Sequence, residues 1–329
     1  MRELLTSITR RTLMAAAVSL AMAPAAAWAQ ADYPNDRITF VCAFPAGSGA
    51  DVLVRYFADK VSKASGQTVI VENKPGANGN IAAEYTVRAK PDGYTVYVHS
   101  GTSTAANMSL FKNPPIDVVK DLRGVQFINK QPFMIAVPTK SPAKDIKELT
   151  ELMKGKEKDG GGTYATTATS GKVLAATYAQ LAGFKATEVA YKTAPDSLND
   201  IISGALDFGA LDPVFALAQQ TAGNVRLLAV SSPERMKATP DIPALKEYGY
   251  DVDQLGWWGV FVPKATPDDI VNKLNALFKE VLEQPDTVEF LNKNGGDAYI
   301  GSPKEVDDLL AFTVDEWRDY VQLAKIPQN

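Results

Sequence analysis

The stretch Phe44-Pro45-Ala46-Gly47-Ser48-Gly49-Ala50-Asp51 carries the clearest chemical signal in the chain. It lies between a strand pattern, Ile38-Thr39-Phe40-Val41-Cys42-Ala43, and a helical pattern. The helix begins near Ala50 and runs through Val52, Leu53, Tyr56, Phe57 and Val61. Two glycines and a serine at a helix N-terminus leave backbone N–H groups with no intrahelical partner. With the positive end of the helix dipole, these donors suit a carboxylate or another anion. Pro45 stiffens the approach, and Asp51 can cap the first turn or orient the loop. Glycine in a turn between strand and helix also serves geometry alone, so the rest of the chain must decide.

Other chemistries are limited by residue counts. His99 is the only histidine and Cys42 the only cysteine. A His/Cys zinc cluster is therefore excluded, no metal site is expected, and no internal disulfide can form. Cys42 sits in an apolar strand and is expected to be a buried, inert thiol. A Ser-His-Asp or Cys-His mechanism would need His99 itself, and no Gly-x-Ser-x-Gly elbow occurs. Gly171-Lys172 resembles the end of a phosphate-binding loop, but Thr166 stands where the leading glycine belongs and Val173 replaces the Ser/Thr, so nucleotide binding is rejected. No cofactor is expected.

Residues 1–29 read as an export signal. A basic start (Arg2, Arg10, Arg11) precedes an apolar run from Leu13 to Ala23 and a small-x-small Ala27-Trp28-Ala29 site. Thr9-Arg10-Arg11-Thr12-Leu13-Met14 fits a twin-arginine signal, and an ordinary Sec signal containing Arg-Arg fits as well. No segment reaches the roughly 18 uninterrupted apolar residues of a spanning helix. The mature chain is expected to begin near Gln30 and to work in the periplasm. Removing residues 1–29 takes three arginines and one glutamate from 34 basic and 38 acidic residues, which leaves 31 and 37 and a net charge of −6. There is no run of like charge and no basic stripe with interleaved aromatics, which argues against nucleic acid as a partner.

About 300 mature residues suggest two domains. Strand-like and helix-like segments alternate, which predicts α/β architecture. Strands are expected at 38–44, 68–72 and 94–99, with helices at 50–65 and 79–89. Region 124–138 holds two apolar stretches split by Asn129-Lys130-Gln131-Pro132 and reads as a crossing between domains. A second block alternates helix 142–154, strand 163–166, helix 171–182, strand 187–191, helix 194–203, strand 207–211, helix 213–221 and strand 225–231. Gly256-Trp257-Trp258-Gly259-Val260-Phe261-Val262 is strand-like again, and helices follow at 267–284, 286–294 and 303–325. Asp286 and Ser302 are the expected helix starts.

Several segments together resemble one family. They are Tyr33-Pro34, the 44–51 loop, Val71-Glu72-Asn73-Lys74-Pro75-Gly76-Ala77-Asn78-Gly79-Asn80, Lys90-Pro91-Asp92-Gly93-Tyr94-Thr95, Val189-Ala190-Tyr191-Lys192 and Leu227-Leu228-Ala229-Val230-Ser231. In this order they resemble the Bug family, the extracytoplasmic solute-binding proteins of tripartite tricarboxylate transporters. The resemblance implies a two-domain, type II periplasmic-binding-protein-like α/β fold that closes a cleft on an organic acid. It implies domain 1 from 30–131 plus 257–329 and domain 2 from 132–256. The family's first loop usually reads Phe-Pro-Pro-Gly-Gly-x-x-Asp; here Ala46 and Ser48 replace the second proline and second glycine. The second-domain loop is Thr166-Thr167-Ala168-Thr169-Ser170-Gly171-Lys172-Val173, one residue shorter than usual, with valine where the family often has histidine.

As the family does, the loop Ala46-Gly47-Ser48-Gly49-Ala50-Asp51 should hold one carboxylate by backbone N–H groups, with Phe44 the best aromatic neighbour. His99-Ser100-Gly101-Thr102-Ser103-Thr104 ends a strand, where open α/β sheets bind ligands. Ser100, Thr102 and Ser103 are candidate contacts, as is His99, whose alternative is merely to satisfy a strand end. A helix cap by Ser103 or Thr104 is compatible with this. Thr166, Thr167, Ala168, Thr169 and Ser170 form the facing loop. Lys172 could pair with a second carboxylate, although a solvated lysine at a helix start is the simpler expectation. Asp212 is expected to cap a helix or accept a donor from the ligand. Trp257-Trp258 reads as hinge or core packing before ligand stacking.

The expected function is capture of a small carboxylate for membrane permease subunits, not catalysis. A mono- or dicarboxylate is expected, with a lean toward an aromatic acid such as terephthalate or a linear diacid. The rivals are a two-domain enzyme using Asp51, His99 or Asp212 as acid or base, and a co-receptor presenting bound acid to a sensor kinase. A monomer is the simplest oligomeric state.

Overall fold

The computed structural model describes residues 33–329 except 167, 168, 192, 193, 324, 325, 327 and 329, with backbone alone at 159, 169, 194, 195 and 323. The expected export segment lies outside the described residues. The elements begin with β1 (Ile38–Cys42), α1 (Gly49–Ser65), β2 (Val69–Asn73), α2 (Asn80–Val87), β3 (Thr95–Ser100), α3 (Gly101–Leu110), a short α4 (Val118–Asp121) and β4 (Leu122–Pro132). Next come β5 (Met134–Pro138), α5 (Ile146–Gly155), β6 (Gly162–Thr166), α6 (Thr169–Ala182), β7 (Ala186–Ala190), α7 (Ala194–Ser203), β8 (Phe208–Leu211), α8 (Pro213–Thr221) and β9 (Val225–Val230). The chain closes with β10 (Leu255–Pro263), α9 (Asp268–Leu282), α10 (Pro285–Lys293), β11 (Asp297–Ala298) and α11 (Pro303–Leu323).

Two sheets result. The first runs β11-β4-β10-β3-β1-β2 and the second β7-β6-β8-β5-β9. In the first, β2, β1 and β3 are parallel and β10 is antiparallel to both β3 and β4. In the second, β7, β6 and β8 are parallel and β5 is antiparallel to β8 and β9. Both faces of each sheet are covered, as parallel strands require. Along α9, Ile270, Val271, Leu274, Phe278, Val281 and Leu282 recur at helical spacing. They pack on Phe40, Val98, Val260 and Val262. The alternate residues Val41, Tyr97 and Phe261 point to the other face and meet Ala82, Ala83 and, from α11, Val306 and Leu310. The second sheet divides likewise, with Ile135, Val137 and Phe208 on one side and Met134, Ala136 and Leu211 on the other.

The chain passes between sheets at two places that are tied to each other. It leaves the first sheet at Pro132 and enters the second at Met134; it leaves the second at Val230 and re-enters the first at Leu255. Buried Ser231 joins the crossings. Its amide donates to the Phe133 carbonyl (2.9 Å) and its carbonyl accepts from the Gln254 amide (2.9 Å). Its hydroxyl accepts from the Phe133 amide (2.9 Å) and donates to the Gln254 carbonyl (2.6 Å).

Two local expectations need correction. The helix after β3 is capped by Ser100, whose Oγ accepts from the Ser103 amide (3.1 Å), not by Ser103 or Thr104. Its first turn, Gly101-Thr102-Ser103-Thr104, is weakly helix-forming; burial between sheet and α11 sets its start. Likewise α10 begins at Pro285 with Gln284 preceding it, and Asp286 lies in the first turn, where its charge complements the helix dipole.

Candidate functional site

Each sheet has a point where the strand order reverses, and ligands of open α/β sheets bind beyond the strand ends at such points. In the first sheet β1 has β2 on one side and β3 on the other, so the loops after β1 and β3 meet there. In the second sheet β6 stands between β7 and β8, which puts the loops after β6 and β8 together. These four loops are 44–48, the start of α3 at Ser100, the segment after Thr166, and Asp212.

The loop after β1 is built from Asp51. Its carboxylate, 2% exposed, accepts from the Gly47 amide (2.8 Å), from Asn73 Nδ2 (2.7 Å) and from Arg55 Nε (2.8 Å). Burial alone would raise this carboxyl, but the bonds from Arg55, Asn73 and Gly47 outweigh it and hold it at about 2. Asn73 Nδ2 also donates to the Phe44 carbonyl (2.9 Å), so the second strand fixes both ends of the turn. Ser48 caps α1, its Oγ accepting from the Asp51 amide (3.2 Å) and donating to the Pro45 carbonyl (2.8 Å). Asp51 thus orients the loop and spends its charge inside it. Ala46, Gly47 and Gly49 are exposed, Ser48 and Ala50 partly so, and a side chain on either glycine would meet nothing within 4 Å.

His99 lies behind this loop. Its ring packs against Phe44 (5.1 Å), Tyr97 (5.1 Å) and Trp258 (5.8 Å). It is 2% exposed, and neither ring nitrogen has a hydrogen-bond partner among the described residues. Gly79, with φ +95°, passes so close that a Cβ there would lie 2.7 Å from Nε2. The preceding Ala77 and Asn78 are left-handed without being glycine (φ 45° and 54°). Asn107 holds this strained turn, pairing with the Asn78 side chain (2.8 Å) and carbonyl (3.0 Å). Burial lowers the imidazole to about 3, so the ring is neutral in the folded protein from pH 5 to 8. The unfolded chain takes up this proton below about 6.5, so His99 removes stability as pH falls from about 6.5 toward 3. The expected NMR result is a flat His99 Hε1 shift between pH 5 and 8; a midpoint near 6.5 would put the ring in solvent.

At the start of α3, Thr102 Oγ1 accepts from the Trp257 amide (3.1 Å) and Thr104 Oγ1 donates to the Ser100 carbonyl (2.9 Å). Ser100 and Ser103 remain partly exposed. In the second sheet Asp212 caps α8, its Oδ1 accepting from the Phe215 amide (3.0 Å), and burial pushes its carboxyl up while backbone bonds pull it down. Thr166 is buried and donates to Glu188 (2.6 Å), and Ser170 offers its carbonyl to Gln254 Nε2 (2.8 Å). Thr167 and Ala168 lie outside the described residues, and Thr169 is described by its backbone as the first residue of α6. Lys172 is not the solvated lysine expected of a helix start: its Nζ pairs with Glu188 at 2.8 Å.

The crossings bring these loops together. Phe44 touches His99, Ser100 follows on β3, Thr102 binds Trp257, and Gln254, three residues earlier, binds Ser170. Val173 of α6 packs with Ala106 and Leu110 of α3 and with Trp317 and Val321 of α11. The starts of α3 and α6 therefore flank one crossing segment.

The model of the tripartite tricarboxylate transporter family receptor matches residues 53–325. The chain belongs to this receptor family. A UPF0065 protein of Bordetella bronchiseptica is 34% identical over 319 residues, 96% of this chain and 93% of the relative. The structure of periplasmic binding protein BugD is 27% identical with a TM-score of 0.74, covering 90% of this chain and all of that one. A structure of R. palustris Rpa4515 with adipate is 25% identical with a TM-score of 0.79, covering 91% and 100%. The resemblance to the Bug family and the α/β fold class expected from it both hold. Among the described residues no helix is long and apolar enough to cross a membrane, and no cluster of three or more His, Cys, Asp or Glu could hold a metal ion.

Sequence reasoning missed Asn73, Arg55, Gln254 and Glu188. Arg55 lies four residues after Asp51, a spacing that places both on one helix face. Asn73 stands inside the 71–80 segment quoted for the family resemblance, which signalled it without giving its role; Gln254 and Glu188 come from other elements, and no local pattern marks them.

Proposed function

We propose that this receptor is a periplasmic solute-binding protein that captures a small organic carboxylate between two α/β units. It then hands the solute to the permease subunits of a tripartite tricarboxylate-type transporter. The units divide as 30–131 plus 257–329 and 132–256. The observation that carries the reading is the exposed backbone at Ala46 and Gly49, on a loop whose one acidic residue is already consumed by Arg55, Asn73 and Gly47. The Gly47 and Ser48 amides are spent on Asp51 and on the Pro45 carbonyl, which leaves the amides of Ala46, Gly49 and Ala50 as the donors, with no competing free carboxylate. The adipate in the R. palustris relative agrees with this chemistry.

One ligand carboxylate sits over the amides of Ala46, Gly49 and Ala50, beside Phe44 and the hydroxyls of Ser100 and Ser103. The remainder reaches the segment Thr166–Ser170 when the units close. Charge-assisted hydrogen bonds contribute roughly 1.5–3 kcal/mol each. Two or three of them, with burial of the ligand body, supply the roughly 8 kcal/mol of a micromolar complex. Shifting an open-to-closed equilibrium from 1:99 to 99:1 needs about 5.5 kcal/mol of preference for the closed state. Loops on both units give such a preference, because the closed form alone engages both. The first loop by itself admits a mono- or a dicarboxylate, whether aromatic such as terephthalate or an aliphatic diacid of four to six carbons; the second loop decides between them.

The test is a thermal-shift and calorimetric screen of aliphatic and aromatic mono-, di- and tricarboxylates beside amino acids and sugars. A ligand that binds only the folded state raises the melting temperature by mass action. One acid class giving a saturable shift and stoichiometric binding without turnover is the expected result. Turnover of a bound acid would instead make the protein an enzyme.

A further inference from the structure

Glu188, in the middle of β7, touches two candidate binding residues at once. One carboxylate oxygen accepts from Thr166 Oγ1 at 2.6 Å and the other pairs with Lys172 Nζ at 2.8 Å. Glu188 stands opposite Tyr164 in the β6–β7 register, and Thr166 lies two residues further along the same face. Glu188 therefore reaches under the first turn of α6, where Lys172 projects. The side chains of Lys172 and Glu188 are 30% and 20% exposed, so the pair borders solvent at the very segment the second unit offers to a ligand.

The charge balance follows. Among the described residues of the four loops and the first turn of α6, Lys172 is the one cation, and it is already matched by Glu188. Thr166 has spent its only proton on Glu188 and can offer a ligand no more than an acceptor. Asp212, on the neighbouring loop, adds no positive charge. A second carboxylate arriving here would meet the negative charge of Glu188, an engaged ammonium and an acceptor-only hydroxyl. An uncharged end meets none of these penalties. Specificity of this kind comes from an arrangement that rejects the wrong ligand as much as from one that attracts the right one.

We infer that Glu188 is the residue that sets ligand charge: by holding Lys172 and Thr166 it restricts the site to acids with one carboxylate and an uncharged far end. This rests on the carboxylate-receptor reading above. Glu188 acts as a positioning residue through Lys172 and Thr166.

Calorimetry at pH 7.5 with two matched pairs, hexanoate against adipate and benzoate against terephthalate, tests it. The wild-type protein is expected to favour the monoacid of the pair it binds by about tenfold or more, 1.4 kcal/mol per factor of ten. Glu188→Gln keeps an acceptor for Thr166 and removes the counter-charge of Lys172; the ratio is expected to move toward the diacid by about tenfold. Adding Lys172→Met to that variant is expected to cancel the gain, because the freed ammonium produces it. A ratio measured within one variant is indifferent to lost stability, and the wild-type ratio needs no variant at all. A wild type that binds the diacid as well as the monoacid overturns the inference and leaves the receptor reading standing. A diacid gain that survives Lys172→Met, or a ratio unmoved by Glu188→Gln, also overturns it. Failure of all four acids to bind the wild type removes the receptor reading for these acid classes and this inference with it.

Discussion

Gly49→Phe is expected to weaken carboxylate binding about a hundredfold or more while the melting temperature stays level or rises. Gly49 opens α1, its backbone is not left-handed, and an added Cβ would meet nothing within 4 Å. Neither strain nor crowding therefore explains a glycine at this position. Any other residue there would lose less backbone freedom on folding, by roughly 0.5–1 kcal/mol. What glycine provides is bare backbone: a benzyl group at 49 would stand over the amides proposed to hold the anion. Two charge-assisted hydrogen bonds at roughly 1.5–3 kcal/mol each correspond to about a hundredfold or more at 1.4 kcal/mol per decade. Titration calorimetry with the best acid from the screen, paired with a melting curve, reads both quantities. Unchanged affinity in a folded variant would remove this loop from the site.

Trp257→Ala is expected to cost about 3–5 kcal/mol of stability, the usual range for emptying a large aromatic from a core. Trp257 is buried, meets Phe127 edge-on at 5.5 Å and donates from Nε1 to Thr313 Oγ1 at 3.2 Å. Gly101 makes room for it, since a Cβ there would lie 2.2 Å from the indole. The Trp257 amide also holds Thr102, so the first turn of α3 is fixed from β10. Urea unfolding measures the loss, and a change below about 1 kcal/mol would show that the neighbouring rings collapse into the space.

The fold was legible where periodicity and punctuation coincide. Helices 194–203 and 213–221 fall on their expected bounds because Pro213 and flanking glycines mark the ends of apolar repeats. The start of α3 was not legible, because Gly101-Thr102-Ser103-Thr104 carries no apolar repeat and its partners on α11 lie about two hundred residues away. The same divide runs through the site. The glycines of the 44–51 loop announce exposed backbone directly. Glu188 could not be assigned to Lys172 without knowing that β6 and β7 pair in the register that puts Tyr164 opposite it. His99 illustrates the middle ground: its position at a strand end was clear, but its burial depends on Phe44, Trp258 and the close passage of Gly79.

The place of β10 between β3 and β4 has a consequence for covalent continuity. Residues 38–132 and 255–298 share the first sheet, and β10 is hydrogen-bonded to a strand of the earlier segment on each side. A protease that nicks the chain between the strands of the second sheet would cut the backbone without dividing the first. Both fragments would stay threaded into one β-structure, and the nicked protein is expected to elute from gel filtration as a single species, parting into two when denatured.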